Sequence, residues 1–525
     1  MKRLSERLMS MTWPWYSQEC AISGIDGNGM RASRAAAAIA VLAMLFFSMP
    51  ASSAATIQAG ADLAGAIAAS SPGDTIRVGP GEQRPFVVDR PLTILADGAS
   101  VKADLQQPAI FIRSGNVRIS GFSIQGVPKD SQSKFSFYME RLDGGRTSAP
   151  TVPQYGSGAS QGGILRLNLT NAGIVLQGVG IALDNLTISG AEEGVLAENS
   201  QDLQISNCSF LDNDRGLHIK GSAAVAITGN RFSGSSKDGM TAEFSRQITL
   251  KDNSALDNKN AGLFLKNCSL ILAEGNLVSD NTFGLALWNC TDGEVRRNRA
   301  HHSYYGILLA NTINTTVLDN LATENARSEI VAGFGIGISL TENSSRNLIL
   351  RNSASKNFNG LELIKGCRYN VVFGNNLTQN THGIRAAENH NNLIFGNNFE
   401  GNVISIYEDD AHNFWNASAG NYYSDYAGPD GNGDGRGDLP YLIPKGNTNS
   451  ADLAPLMEPD FNPLINTTNL WAELARYATY DATSEGLPVI REGKGVMIQA
   501  PRPKGPPVFS DDPMALERPA FTPDI

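Results

Sequence analysis

From about residue 170 the chain alternates apolar and polar residues over only three to five positions before Asn, Gly, Ser or Asp interrupts, as in Val225-Ala-Ile-Thr-Gly-Asn-Arg-Phe. This is strand periodicity cut by tight turns, and no segment between turns has the length or the roughly 3.6-residue period of a helix. The interruptions are themselves periodic. Asn recurs at 185, 207, 230, 253, 276, 298, 320, 352, 375 and 397, at intervals of 22 or 23 except for one of 32. In phase with it runs a glycine followed by an alternating apolar pair, as in Gly216-Leu-His-Ile, Gly262-Leu-Phe-Leu, Gly284-Leu-Ala-Leu and Gly360-Leu-Glu-Leu. Two markers on one period predict an all-β chain wound as a right-handed parallel β-helix solenoid, about 22–23 residues per coil. Asn suits its corners, since it tolerates the left-handed backbone region and stacked amides can bond from coil to coil. A leucine-rich repeat also places Asn after alternating leucines, but it is richer in Leu and needs room for a helix or 3₁₀ turn.

A solenoid exposes apolar core at its ends and therefore needs caps. Residues 61–69 (ADLAGAIAA) read as a short amphipathic helix, which makes 57–70 the expected N-terminal cap. Two polar insertions, Pro128 to Asn168 and Asn325 to Phe334, both fall just before a Gly-Ile strand and leave the rod at the same corner. The apolar run Ala35–Met49, preceded by Arg31 and Arg34 and followed by small residues, has the parts of a secretory signal; translation from Met30 or a retained anchor are the alternatives. The expected organisation is a signal peptide (1–55), a cap with the first coils (56–127), an inserted loop (128–170) and repeated coils (171–413). An Asp/Gly-rich capping module (414–460) follows, then a short helix and Pro-rich tail (461–525).

Composition adds exclusions. A chain of 525 residues with 53 Gly and a net charge of -10 lacks the basic patch that nucleic acid or an anionic membrane would need. Five cysteines with no CxxC pair argue against a disulfide scaffold or a structural zinc site. The expected location is secreted, periplasmic or cell-surface, with no transmembrane span in the mature chain.

In each Gly-led strand, residues two and four after the glycine point outward. That column gathers Phe264 and Trp288, with Phe283, Tyr304 and Tyr305 on adjoining turns, into an exposed aromatic strip suited to stacking on sugar rings. His218, Lys220, Glu243 and Lys266 share the face and could supply a base and a carboxylate-neutralising cation for β-elimination or C5 epimerisation of a uronate polymer. Neither the Asp-Pro-His motif of alginate epimerases nor the paired aspartates of polygalacturonases is present. Cys268 and Cys290 share a register one coil apart, where a bridge and stacked free thiols are both open readings.

After the coils, Asp430, Asn432, Asp434, the backbone carbonyl of Arg436, and Asp438 alternate oxygen ligands with glycines, the pattern by which a short loop wraps calcium. The twelfth position, where a bidentate Glu would complete an EF-hand, is Tyr441. The segment from Trp415 to Tyr441 (WNASAGNYYSDYAGPDGNGDGRGDLPY), together with the coils, resembles the NosD-type β-helix family of periplasmic copper-binding proteins and is similar to carbohydrate-binding and sugar-hydrolase (pectate-lyase-like) β-helix domains. The resemblance covers roughly residues 57–460. It implies a β-helix and, for a true NosD homologue, copper processing beside a membrane transporter. Six histidines without an HxH motif or a methionine cluster argue against copper. The expected function is a non-catalytic scaffold binding a glycan or a surface or periplasmic protein. The alternatives are a polysaccharide lyase or C5-epimerase and a copper-processing accessory.

Overall fold

The computed structural model describes residues 54–104, 107–127, 172–325, 334–461 and 463–477. The expected signal with its alternative start at Met30, the inserted loop at 128–170, most of the second insertion and the Pro-rich tail lie outside the described residues.

Each coil lays down three strands. In one coil these are Arg215–Lys220, Ala223–Thr228 and Arg231–Ser233. All three pair in parallel with their counterparts one coil on, Leu217 opposite Met240, Val225 opposite Ile248 and Phe232 opposite Ala255. The third strands form a 14-stranded sheet, one strand per coil. First and second strands merge into a 27-stranded sheet, because His382–Phe395 and Ile404–Phe414 run through the bend that separates them in earlier coils. Among the described residues no helix interrupts the coils, and each coil is three parallel strands, unlike a leucine-rich repeat.

The first residue after each glycine stacks along the interior: Leu217, Met240, Leu263, Leu285, Ile307, Ile338, Leu361 and Ile384 are all fully buried. Removing each such side chain from water contributes about 1.5–3 kcal/mol, so the core grows by a fixed increment with every coil.

The asparagine column and its coil-to-coil amide bonds are as expected, but it starts later than expected and its asparagines are not the left-handed corner residues. Each ladder asparagine donates both its backbone N–H and its Nδ2–H to the Oδ1 of the next, from Asn230 through Asn253, Asn276, Asn298, Asn320, Asn352, Asn375 and Asn397 to Asn421. Asn185 and Asn207 are not in it. Both sit one residue earlier, at the left-handed position with φ of 50° and 53°. In later coils that position belongs to Gly229, Asp252, Gly275, Arg297 and Asp319. The left-handed turn and the amide ladder are thus adjacent, separate devices. A second ladder through Asn258, Asn281, Ser303, Asn325, Asn357 and Asn380 holds another corner.

Helix α1 (Leu63–Ala69) covers the first coil with Leu63 and Ile67 buried, and Asp62 caps it by accepting from the Gly65 N–H at 2.9 Å. The preceding residues are not cap but strand: Thr56–Ala59 pairs with Thr75–Val78. At the other end Tyr423 stacks between Phe399 (5.1 Å) and Tyr441 (3.7 Å), extending the interior aromatic column. The amide ladder ends on Asp452, whose Oδ2 accepts from the Asn421 N–H at 2.6 Å and the Tyr423 hydroxyl at 3.2 Å. Burial raises the Asp452 carboxyl above its usual range against the pull of those donors. Helix α2 (Thr467–Tyr477) lays Leu470 and Leu474 on Leu348, Leu350, Val371, Leu393 and Phe395, covering the outer side of the second strands.

Candidate functional site

The long face of the first strands holds every charge and ring singled out from sequence on the coils. Strand pairing skips the glycine in each coil, Glu193 opposite Arg215 and then Val195 opposite Leu217. The chain bends there. The residue before the glycine consequently faces outward beside those two and four after it, giving three outward columns where strict alternation gives two.

In the early coils these columns assemble a charged cluster. Arg215 donates to Glu193 at 2.7 Å and to His218 Nδ1 at 2.8 Å, and its Nε lies 3.4 Å from Asp238. His218 Nε2 faces Glu243 at 3.6 Å and makes no hydrogen bond. Burial opposes ionisation of Glu193, but His218 and the charges of Arg215 and Lys220 outweigh it and hold the carboxyl below its usual range. The His218 imidazole facing it does the same for Glu243. Of the expected catalytic set, His218 meets Glu243, and Lys220 and Lys266 occupy the register positions on either side of Glu243. Sequence reading missed Glu193 and Arg215, both in the column just before the glycine.

The next three coils carry the rings. Phe283 stacks on Tyr305 with centroids 5.4 Å apart, and Tyr304 meets Tyr305 edge-on at 4.8 Å. Phe264, Phe283, Ala286 and Leu308 form an outward cluster separate from the interior, with Trp288 and Tyr305 packed on it. An exposed strip was expected, and this is corrected: Phe264 is 7% and Phe283 5% exposed, and the space among them is too tight for a water molecule. Outward direction did not bring exposure, because the rings pack on Ala286, Leu308 and one another, with Trp288 and Tyr305 over them. Trp288, Tyr304 and Tyr305 remain half-buried.

Beyond the rings comes a second polar cluster. Glu362, 4% exposed, accepts from Ser339, Asn359 and Arg385, each at 3.1 Å. His382 Nδ1 lies 2.8 Å from Asn359 Oδ1. Burial, with a smaller effect from Arg385, lowers the His382 imidazole to about 4. Burial first, then the Glu362 charge, pushes the Tyr305 phenol well up, tying this cluster to the rings.

In the expected calcium loop, Gly435 has a left-handed φ of 82°. Asp430 accepts from the amides of Gly433, Asp434 and Gly435, Asp434 from Arg436, and Asp438 from Gly431. Among the described residues no group of three or more His, Cys, Asp or Glu is disposed to hold a metal ion. Among the described residues the copper implied by the resemblance therefore finds no fitting ligand set: His301 and His302 touch each other, Ser279 and Glu324, while Cys208, Cys268, Cys290 and Cys367 are free and buried in the interior. Burial pushes the Cys208 thiol up to about 12.

Residues 271–428 match a family model described as the periplasmic copper-binding protein NosD, and residues 172–322 match one for the right-handed β-helix region. No curated protein matches the chain. Among solved structures, the A-module of mannuronan C-5 epimerase AlgE6 from Azotobacter vinelandii is 11% identical with a TM-score of 0.47, over 70% of this chain and 94% of that one. The Dettilon tailspike protein is 15% identical with a TM-score of 0.46, over 58% of this chain and 61% of its own. PfbA, a surface adhesin of Streptococcus pneumoniae, is 13% identical with a TM-score of 0.35, over 66% and 85%. No helix among the described residues is long and apolar enough to cross a membrane.

Proposed function

This chain is a right-handed parallel β-helix protein, and from that premise we propose that it is an exported, non-catalytic scaffold that binds a glycan along the outer face of its first strands. The observation that carries the reading is half-buried Trp288 and Tyr305, seated on buried Phe264 and Phe283, with half-buried Tyr304 edge-on against Tyr305. Rings held this way present a rigid apolar surface to the C–H face of a sugar at little entropic cost. Coils advance by roughly 4.8 Å, close to the advance of one ring in an extended glycan, so successive sugars would meet equivalent positions. The charges beside the rings are spent on each other, Arg215 on Glu193 and Asp238, and Arg385 on Glu362.

A glycan array followed by calorimetry tests this. Trp288→Ala is expected to weaken the best saccharide by about tenfold, roughly the worth of one aromatic platform, with little change in melting temperature. Saccharide binding that ignores Trp288, or no binding at all, refutes the reading. His218 between Glu193 and Glu243 favours the second reading, a lyase or epimerase; unsaturated products from a polyuronate panel, abolished by His218→Ala, would establish it. A copper-delivery role beside a membrane transporter rests on the NosD match alone.

The loop Asp430–Asp438 is proposed as a weak calcium clamp on the C-terminal cap, on its ligand spacing and the left-handed Gly435. Calcium is expected to raise the melting temperature with a Kd of about 10⁻⁴–10⁻³ M, as for other extracellular modules, and Asp434→Ala to abolish the rise. No heat and no shift would leave a self-closed turn.

A further inference from the structure

The cluster beyond the rings has an internal logic that fixes where one proton sits. Asn359 Nδ2 lies 3.1 Å from a Glu362 oxygen, which only accepts, so the amide cannot be flipped. Asn359 therefore turns its Oδ1 toward His382, and His382 Nδ1 must carry the hydrogen between them. The imidazole stays neutral well below neutral pH because burial disfavours its charge. Its other nitrogen, Nε2, is then a bare lone pair. Unlike His218 Nε2, it is not sealed inside the protein, and it makes no hydrogen bond.

The ring is held in place as well as oriented. Phe358 meets it edge-on at 5.0 Å and Tyr407 lies at 5.6 Å. Phe358 also lines a groove of about 350 Å³ with Gln379, Thr381 and Val403. A preorganised acceptor between aromatic rings at the edge of a groove suits a hydroxyl donor. The local cations are already paired, which leaves none for an anion: Arg385 bonds Glu362, Lys356 in the groove bonds Glu324, and Asp409 adds a negative charge on the same face.

We propose that Asn359, Glu362, His382, Arg385 and Tyr407 form a second, polar subsite, in which His382 Nε2 accepts a hydrogen bond from a hydroxyl of an uncharged sugar unit. The inference rests on the glycan reading and extends it about three to five coils from Trp288, roughly 14–24 Å along the rod, so one oligosaccharide of six units would span both.

The probes are hexamers of β-1,4-linked glucose, β-1,4-linked mannose and mannuronate. Imidazole ¹⁵N spectra of the wild-type protein, with His382 assigned through His382→Phe, should place the hydrogen on Nδ1 and show the Nε2 resonance moving on addition of a neutral hexamer. His382→Phe keeps the ring volume between Phe358 and Tyr407 and should weaken neutral-hexamer binding about tenfold, the worth of one hydrogen bond left unmade. If that variant does not fold, the wild-type spectra, with His382 assigned by through-bond correlation to its backbone, decide alone. Hexamers that perturb Trp288 and leave His382 unmoved overturn the subsite and spare the ring platform. Hexamers that move His382 and not Trp288 do the reverse. Mannuronate binding alone, or no hexamer perturbing His382, also overturns the subsite.

Discussion

Asn298→Ala is expected to destabilise the protein by about 3–5 kcal/mol, the upper range for a single polar side chain. Four hydrogen bonds of 2.9 Å pass through this amide. Its Oδ1 accepts the backbone and side-chain N–H groups of Asn276, and its Nδ2 donates to Ala273 and Asn320. All four residues lie at 0–2% exposure, where water cannot substitute. Truncation strands two donors of Asn276 in the interior, at about 1–3 kcal/mol each, and opens a small void beside them. The second ladder supplies an internal control. At Ser303 a hydroxyl takes the place of the amide and still receives the Asn281 N–H, at 3.3 Å. Asn298→Ser should therefore cost less than alanine. Asn298→Asp should be as damaging as alanine, because a carboxylate accepts from Asn276 but cannot donate to Asn320. Chemical denaturation measures all three, and hydrogen exchange at the Asn276 amide reports the local opening. A cost under about 1 kcal/mol for alanine would mean that strand pairing holds the coils without the ladder.

That ladder shows how far the sequence could be read. The 22–23-residue period is legible because each coil repeats one task, and the inward column follows because nothing but apolar side chains fits inside. The phase was not legible at Asn185 and Asn207, since asparagine serves equally well at the left-handed turn and one residue later in the ladder. Alternation gave the direction of Phe264 correctly and its exposure wrongly, while Phe283, just before Gly284, was read as a turn residue. Direction is a property of one strand, whereas exposure depends on the residues one coil away, here Ala286 beside Phe264 and Tyr305 beside Phe283. Glu193, Arg215, Asn359 and His382 escaped for a single reason. They occupy the position before the glycine, which an unbroken two-residue period places inside and the bend at the glycine turns outward. A reader who knew of that bend would have found the His382 cluster from its 23-residue spacing to Asn359.

The same glycine is where the largest loss is expected. Gly284→Val should prevent the chain from reaching its native coil spacing, and Gly284→Ala should already cost about 3 kcal/mol or more, at the top of the range for overpacking. A Cβ built at Gly284 would lie 2.5 Å from the Gly306 carbonyl oxygen and 2.8 Å from Val278 Cγ2. The first obstacle is backbone, so no rotamer relieves it; the two coils must separate or shear. Every coil repeats the contact, Gly262 against Gly284 at 2.8 Å and Gly306 against Gly337 at 2.6 Å, so the strain cannot be passed to a looser neighbour. Gly293, in the second strand of the same coil (Thr291–Arg296), is the control. There a Cβ would meet first the Thr315 Oγ1 at 2.9 Å, a side-chain atom that can turn away, and Gly293→Ala should cost about 1 kcal/mol. Gly284 shares its strand with Phe283 and Trp288, so forcing the coils apart also pulls the ring platform off Phe264. Gly284→Ala, if it folds, should therefore lose saccharide affinity together with stability, whereas Gly293→Ala should keep its affinity. Retained binding in a destabilised Gly284→Ala would uncouple the coil spacing from the face it is proposed to build.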